Sequence, residues 1–193
     1  LAPIILIGIV LEVLLRNIPN NYSYKKKQLD KLASKISVLI LGSSHANYGL
    51  NPAFLQQSAF NSSHVSQSLD YDIRILKNYE NKLVKLKYLI LPVDYFTLFQ
   101  NIEETKEKWR IKNYEIYYGF HNAYKTSNYF EILNGKIPAN LKRIKKYYLN
   151  GKSDVGCNKD GWGNFNKEII AVIDIEKGQK ALDEKEFEEI YFF

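Results

Sequence analysis

The fold is decided by the stretch Val38-Leu39-Ile40-Leu41-Gly42-Ser43-Ser44-His45-Ala46-Asn47-Tyr48-Gly49. A short apolar run ends at a glycine, and two serines, a histidine and a second glycine follow it. A continuous apolar run of strand length is typical of a strand buried on both faces, as in a parallel α/β sheet. Because open α/β sheets bind their ligands beyond the carboxyl ends of their strands, the polar residues after the run are candidate site residues.

The serines of this loop have two interpretations. A serine hydroxyl at the end of a buried strand is a potential nucleophile. The segment Gly42-Ser43-Ser44 is equally consistent with a tight turn that leads into a helix cap, because short motifs match many sequences by chance. This segment alone does not distinguish the two interpretations, so the rest of the sequence is needed.

The composition is that of a folded protein. The chain has 193 residues, of which 46% are hydrophobic and 25% are charged, enough for one domain with a real core. The net charge is +6, but the basic residues are dispersed apart from 25–27 and 142–146. Without a zinc-finger, Walker or RNA-binding pattern, we expect no nucleic-acid partner. The single cysteine, Cys157, excludes an intramolecular disulfide and a cysteine-rich metal site, and we expect neither a metal nor a cofactor.

The chain begins within an apolar run that extends from Leu1 to Leu15 and is interrupted only by Glu12. A helix that spans a bilayer needs about 20 apolar residues, so this run is too short by itself and becomes a membrane anchor only with further residues upstream. Because no small-residue cleavage site follows, we favour an uncleaved anchor over a signal peptide. The alternative is a buried amphipathic helix, which Pro3 and Glu12 favour.

We therefore predict a partial transmembrane anchor over residues 1–16 and a connector over 17–36, with a helix from Lys25 to Ser34. An α/β domain should follow over 37–193, incomplete at its C-terminus and extracytoplasmic. By the positive-inside rule, the lysines that follow the apolar run favour a cytoplasmic location of the domain instead. The residues on the other side of the run, whose charges the rule compares with these lysines, are missing.

The domain region alternates between apolar runs and amphipathic segments. Strands are predicted at 37–41, 59–61 and 88–93, with a capped helical turn at Asn51-Pro52. Apolar residues spaced by three and four predict a helix between the last two strands; they are Leu69, Ile73, Leu76, Tyr79, Leu83 and Leu86. A strand–helix–strand unit crosses over with a right hand, so the sheet should be largely parallel.

Three polar loops should therefore meet at one edge of this sheet, after Leu41, Phe60 and Val93. Unrelated turns would not be expected to be rich in serine, histidine, asparagine and aspartate all at once. The convergence of three such loops therefore predicts a functional site. The candidate site residues are Gly42, Ser43, Ser44, His45, Asn61, Ser62, Ser63, His64 and Asp94.

As an ordered set, these loops resemble the first three blocks of the SGNH/GDSL hydrolase superfamily, and especially its membrane-anchored, envelope-associated branch. The resemblance is carried by Gly42-Ser43-Ser44-His45, by Phe60-Asn61 and by Leu91-Pro92-Val93-Asp94-Tyr95-Phe96, and it spans about half of the chain. It implies a flavodoxin-like, three-layer domain. The implied activity is that of a serine-dependent esterase or O-acyltransferase, whose partner is a cell-envelope glycan or an acylated small molecule.

The resemblance carries over unevenly to individual residues. It implies that Ser44 is the nucleophile and that its N–H is one oxyanion donor. Ser43 replaces the aspartate that usually precedes the nucleophile, and Ser62 or Ser63 stands where a glycine usually offers a second donor. Asp94 stands where the family has an asparagine, and a carboxylate would oppose an oxyanion. Asn61 is a candidate substitute for that asparagine.

The family's general base, in an Asp-x-x-His near the C-terminus, has no counterpart among the three histidines, His45, His64 and His121. A serine needs a base to become a nucleophile at neutral pH. We favour a base beyond Phe193; the alternatives are that one of the three histidines replaces it, or that the protein is not a hydrolase. His45 and His64 are candidates for a base, a substrate contact, a metal pair or a structural hydrogen bond. His121 is expected to be a packed surface histidine.

Two functions of other classes stay open. A catalytically silent domain that binds polysaccharide or assembly partners at the membrane is favoured by Ser43 and Asp94. A cytoplasmic binding domain that begins with a core helix is the third.

The second half of the chain carries weaker signals. Residues 103–110 predict an exposed helix, and 181–189 predict an acidic one. The tyrosines between Tyr114 and Tyr148 suit either a lid over the site or a helical core, and we favour the core. Asp160-Gly161-Trp162-Gly163-Asn164 predicts a tight loop, and members of the resembled branch carry a similar Asp-Gly-Trp.

Overall fold

The computed structural model describes residues 2–93, 97–99, 101–121 and 125–163. Its helices and strands, in chain order, are α1 (Ala2–Arg16), α2 (Asn21–Leu32), β1 (Val38–Ile40), α3 (Ser44–Gly49), β2 (Ala59–Asn61), α4 (Leu69–Tyr79), β3 (Tyr88–Ile90), α5 (Ile111–Asn113) and α6 (Ile137–Tyr148). A π-helical turn, Tyr114–Tyr118, continues α5. Shorter 3-10 helices lie at Pro52–Phe54, Ile102–Glu104, Lys108–Arg110, Thr126–Tyr129 and Ile132–Asn134.

The described strands form one parallel sheet with the order β2-β1-β3. Leu39, in the middle of β1, lies opposite Phe60 of β2 and Leu89 of β3. The chain therefore is an α/β protein with a small parallel sheet, as predicted. β1 is the central strand, and the loops that follow all three strands leave from the same edge.

The two faces of the sheet have different cores, because side chains alternate along a strand. Leu39, Leu41 and Phe60 belong to the larger core, with residues from α2, α4 and the π-helical turn: Tyr22, Leu29, Tyr71, Ile75, Tyr79, Tyr114 and Tyr118. Val38 and Ile40 belong to a smaller core with Ala46 of α3. The buried Tyr114 and Tyr118 confirm the core interpretation of the tyrosine region at these two positions.

The segment predicted as a connector is a packed element of the fold. α2 begins at Asn21, four residues before the predicted helix start, because Asn20 caps it. The Asn20 side chain accepts hydrogen bonds from the N–H groups of Tyr22 (2.9 Å) and Ser23 (3.0 Å), and the Ser23 hydroxyl completes a capping box. Tyr22, Lys25 and Leu29 are buried, so this helix joins the core.

Several local predictions are confirmed, with shorter elements than expected. α4 covers the first three turns of the predicted amphipathic helix, with Ser68 at its N-cap position, and Leu83 is buried just beyond its end. Asn51 caps the 3-10 helix at Pro52–Phe54 by accepting from the N–H of Ala53 at 3.1 Å. The exposed helix predicted over 103–110 is instead a pair of 3-10 helices.

A helix is present at the N-terminus, as predicted. Within the described ranges, no helix is both long enough and apolar enough to cross a membrane. The C-terminal half of α1 is fixed to the body of the protein, because Leu15 is fully buried and the Glu12 carboxylate accepts hydrogen bonds from the N–H groups of Glu131 (3.1 Å) and Ile132 (2.9 Å). The predicted acidic helix at 181–189 lies outside the described residues.

Candidate functional site

The loop after β1 places Ser44 at the first residue of α3. Gly42 has φ +115°, a backbone conformation that residues with a side chain rarely adopt. A Cβ at this position would lie 3.3 Å from the Ala46 Cβ and 3.4 Å from the Pro92 Cδ. Ser43 holds the N-cap position, but its side chain makes no capping hydrogen bond. The segment therefore is a turn that leads into a helix with Ser43 at its cap position, as the second interpretation expects, although the Ser43 side chain makes no capping bond.

Ser44 itself is partly exposed, and its hydroxyl makes no hydrogen bond with any residue in the described part of the chain. Its backbone N–H belongs to the first turn of α3, whose N–H groups have no partner within the helix. A hydroxyl without a hydrogen-bond partner among the described residues, next to the backbone N–H of Ser44 at the start of a helix, is compatible with a nucleophile and an oxyanion donor.

The loop after β2 lies against the first loop, and its first three residues, 62–64, are buried. The Ser62 N–H donates to the Ile40 carbonyl at 2.8 Å, and the His64 N–H donates to the Gly42 carbonyl at 3.2 Å. The structure therefore brings the first two predicted loops together. The Ser63 N–H donates to Asn61 Oδ1 at 3.1 Å, so the N–H groups of the first three residues of this loop already have acceptors.

Asn61 holds α3 in place. Its side-chain Nδ2 donates to the carbonyls of Ala46 (2.8 Å) and Leu50 (2.9 Å), and its Oδ1 also accepts from the Ser63 hydroxyl. Both amide hydrogens are therefore used to fix the carboxyl end of the helix that carries Ser44. In this arrangement Asn61 has a positioning role and offers no hydrogen to an oxyanion.

The two candidate histidines have different surroundings. His45 is exposed on α3. His64 is buried, its ring stacks on Tyr22 with centroids 4.0 Å apart, and its Nε2 lies 3.0 Å from the Tyr118 hydroxyl. Burial, with a smaller contribution from the charge of Lys25, holds the pKa of His64 well below its usual range. His64 is therefore a neutral side chain enclosed by tyrosines.

Asp72 of α4 anchors the first loop and was not predicted as a site residue. Its Oδ1 accepts from the Gly42 N–H at 2.8 Å and from Gln67 Nε2 at 2.5 Å, and the Tyr114 hydroxyl donates to Gln67 Oε1 at 2.9 Å. Burial raises the pKa of Asp72 to about 7. The signal in the sequence is its spacing from Ile75 and Tyr79, which places it on the buried face of the helix.

Lys25 of α2 is the second residue that the sequence analysis missed. Its side chain is fully buried, and its Nζ donates to Asn47 Oδ1 at 2.7 Å and to the Ser63 carbonyl at 2.5 Å. Asn47 lies on α3, so this one amine connects α3 to the loop after β2. Its spacing from Tyr22 and Leu29 places it on the buried face of α2, which the lysine run at 25–27 concealed.

The glycine-rich loop near residue 160 closes over the same region. The Asn61 N–H donates to the Asp160 carbonyl at 2.9 Å, and the Trp162 indole N–H donates to the Tyr48 carbonyl at 2.8 Å. The Gly163 N–H donates to the Asn47 carbonyl at 2.8 Å. A segment about a hundred residues away in the chain therefore holds both β2 and α3.

The third predicted loop is described only in part. Pro92 lies against Gly42, so the end of β3 reaches the first loop. Asp94 lies outside the described residues, as does Asn164 of the glycine-rich loop. Among the residues that the structure does describe, no group of three or more histidine, cysteine, aspartate or glutamate side chains could hold a metal ion.

The burial of Lys25 predicts a pH-dependent stability. Burial lowers the pKa of this amine to about 7, partly opposed by the nearby Cys157, whereas in the unfolded chain it is near its ordinary value. Between these two values the unfolded state binds one more proton than the native state, so native stability rises with pH. We expect the free energy of unfolding to increase from pH 7 to 9 by up to about 1.4 kcal/mol per pH unit.

The Lys25→Met variant should lack this increase, because methionine fills similar space without a titratable group. Urea unfolding at pH 7, 8 and 9 measures the effect. The matched control is Lys27→Met, on the exposed side of the same helix, which should keep the slope of the unchanged protein. If the free energy of unfolding rises with pH equally in the two variants, the pKa of Lys25 is not lowered by burial in the native state.

Comparisons with protein families, with curated proteins and with solved structures found no match. The resemblance to the SGNH/GDSL superfamily therefore rests on the quoted residues alone.

Proposed function

We propose that this chain is an SGNH-type, flavodoxin-like domain that acts as a serine-dependent esterase or O-acyltransferase on acyl esters of cell-envelope glycans. The observation that carries the proposal is the position of Ser44. It begins the helix that follows the central strand of a parallel sheet, its hydroxyl forms no hydrogen bond with a described residue, and the loops after β1 and β2 meet there. The strand order β2-β1-β3 is also how a flavodoxin-like sheet begins, and such sheets bind ligands beside their first strand.

The proposed chemistry is acyl transfer through Ser44. Its oxygen attacks the acyl carbonyl while a base takes the hydroxyl proton, and the carbonyl oxygen becomes an oxyanion that the Ser44 N–H stabilises. The alkoxide leaving group departs with a proton and leaves an acyl-serine ester. Water then releases the acid in an esterase, whereas a glycan hydroxyl takes the acyl group in a transferase. The base in this proposal lies outside the described residues.

The surroundings of Ser44 support this proposal because buried hydrogen bonds hold its loop and its helix. Asp72 holds the loop before it, Asn61 holds the carboxyl end of its helix, and Lys25 joins that helix to the loop after β2. A nucleophile needs a fixed position relative to the acyl carbonyl, because small displacements lower the rate strongly. These buried contacts supply that fixation.

Membrane attachment through α1 is part of the proposal. Four consecutive residues, Ile4 to Ile7, have exposed fractions of 71%, 60%, 63% and 59%, so this part of the helix is apolar and open on every side. A helix that is apolar all round is normally covered, by protein or by lipid. We propose that a membrane covers it, with the domain on the extracytoplasmic side where envelope glycans lie.

The second candidate function is a catalytically silent domain that binds polysaccharide or assembly partners at the membrane. It is favoured by Asn61, whose amide hydrogens are both used by α3, and by His64, whose Nε2 faces Tyr118. Within the described residues, no hydrogen bond joins a histidine to Ser44. This function needs the same loops but no activated serine.

A covalent serine probe distinguishes the two functions. The protein expressed from its complete reading frame is treated with a fluorophosphonate, and the adduct is located by peptide mass mapping. The esterase or transferase function predicts one phosphonylated serine, Ser44, because only an activated hydroxyl displaces the fluoride. The neighbouring Ser43 and Ser63 are internal controls within the same digest. A folded protein without an adduct at Ser44 would support the silent domain.

A further inference from the structure

α6 carries an exposed apolar stripe that the proposed site does not use. Ile137, Leu141, Ile144 and Tyr148 are spaced so that they share one face of this helix. The exposed fractions of three of them are 66% for Ile137, 49% for Leu141 and 44% for Tyr148, and Leu149, just past the helix end, is 74% exposed. The buried residue of the helix, Asn140, lies on another face.

This stripe lies beside α1. The Tyr148 hydroxyl donates to the Leu14 carbonyl at 3.1 Å, so the C-terminal ends of the two helices are in contact. The Glu12 carboxylate of α1 binds the N–H groups of Glu131 and Ile132, in the turn that precedes α6. The helix α1, with its apolar surface, therefore contacts both α6 and the turn before it.

The charges of α6 are all of one sign. Its sequence contains Lys142, Arg143, Lys145 and Lys146 and no acidic residue. Arg143 pairs with Glu131 and Asp154, and Lys146 pairs with Asp154, so these two cations already have carboxylate partners in the body of the protein. Lys142 and Lys145 are exposed and form no ion pair with a described residue. They lie on the solvent-facing side of the apolar stripe, on the opposite face from Asn140.

We infer that α6 is a second membrane contact, which lies in the interfacial plane and binds anionic lipid head groups through Lys142 and Lys145. The inference rests on the proposed attachment of α1 to a membrane. An apolar stripe bordered by lysines is the pattern of a helix that lies on a bilayer, with its apolar side chains among the acyl chains. A helix of 12 residues is about 18 Å long, which suits this orientation.

The lysines point to anionic lipid because each cation near such a surface strengthens binding. An acidic protein would match the two charges but not the apolar stripe beside α1. A neutral bilayer would match the stripe and leave the charges without a partner. A bilayer with anionic head groups matches both features at once.

The test compares binding of the full chain to vesicles of phosphatidylcholine alone and to vesicles that also contain phosphatidylglycerol, by co-sedimentation. The double variant Lys142→Gln/Lys145→Gln should lose about fivefold in partitioning to the anionic vesicles per lysine, or about 25-fold in total. Its binding to neutral vesicles should not change. The matched control is Lys85→Gln/Lys87→Gln, two exposed lysines before β3, which should keep the anionic preference.

The outcomes separate this inference from the proposed anchor. Equal losses in the two double variants, or no preference of the unchanged protein for anionic vesicles, would overturn the role of α6. Binding to neutral vesicles that Ile5→Glu in α1 abolishes would support the anchor in either case. A third outcome is that the protein binds anionic vesicles only, and that this binding requires Lys142 and Lys145. In that case α6 is a membrane contact and the proposed membrane attachment through α1 fails.

Discussion

Replacement of Ser44 by alanine is expected to lower acyl-ester cleavage at least about a thousand-fold, because removal of the nucleophile from a serine hydrolase leaves only the contribution of binding and oxyanion contacts. The fold should be unaffected. The Ser44 hydroxyl is partly exposed and makes no hydrogen bond with a described residue, and alanine is favourable within a helix. Hydrolysis of p-nitrophenyl acetate and urea unfolding measure the two effects on the same preparation.

Two nearby serines provide controls of different kinds. Ser43→Ala removes a hydroxyl that makes no capping bond, so activity and stability should both stay close to those of the unchanged protein. Ser63→Ala removes a buried hydroxyl that is hydrogen-bonded to Asn61, so it should cost about 1 kcal/mol of stability while the folded molecules stay active. Unchanged cleavage in Ser44→Ala would exclude Ser44 as the nucleophile.

The sheet could be predicted from the sequence because its signals are local. The apolar runs at β1 and β3 and the strand at Ala59–Asn61 stand out against polar flanks, and the periodicity of α4 identifies the crossover between β2 and β3. Parallel pairing follows from that order alone. The same reasoning places the first two loops at one edge, where hydrogen bonds between Ser62 and Ile40 and between His64 and Gly42 join them.

The residues that fix the candidate site could not be predicted in the same way. A pattern of apolar and polar residues assigns charged side chains to the surface, yet Lys25 and Asp72 are buried. Each is hydrogen-bonded to a group far away in the chain, Lys25 to the Ser63 carbonyl and Asp72, through Oδ1, to the Gly42 N–H. Burial of a polar group is tolerable only with such partners, and a single sequence does not display them.

The loop near residue 160 shows the same limitation. Its glycines predict a tight turn, but not the segment against which the turn packs. The structure places it on Asn61 and on the helix of Ser44, through backbone contacts that carry no side-chain signature. The predicted role of Asp94 stays a prediction, because this residue lies outside the described part of the chain.

Gly161→Ala is expected to destabilise the protein by about 3 kcal/mol or more, because the new methyl group has no room and the backbone is in a conformation that alanine rarely adopts. Gly161 has φ +81°, and a Cβ there would lie 2.0 Å from the Asn61 carbonyl oxygen and 3.1 Å from the Phe60 Cζ. The carbonyl belongs to the last residue of β2, so it cannot move without disturbing the sheet. Thermal unfolding followed by circular dichroism should show a decrease of about 6–12 °C.

The matched control is Gly151→Ala. Gly151 also has a positive φ, +65°, but a Cβ there would meet nothing within 4 Å, so only the conformational cost of about 1–2 kcal/mol applies. The difference between the two variants therefore isolates the contact of the loop with β2. Equal losses would show that the loop does not pack on Asn61. A larger loss at Gly161 would link the stability of this distant loop to β2, whose last residue, Asn61, holds α3 and with it the proposed nucleophile Ser44.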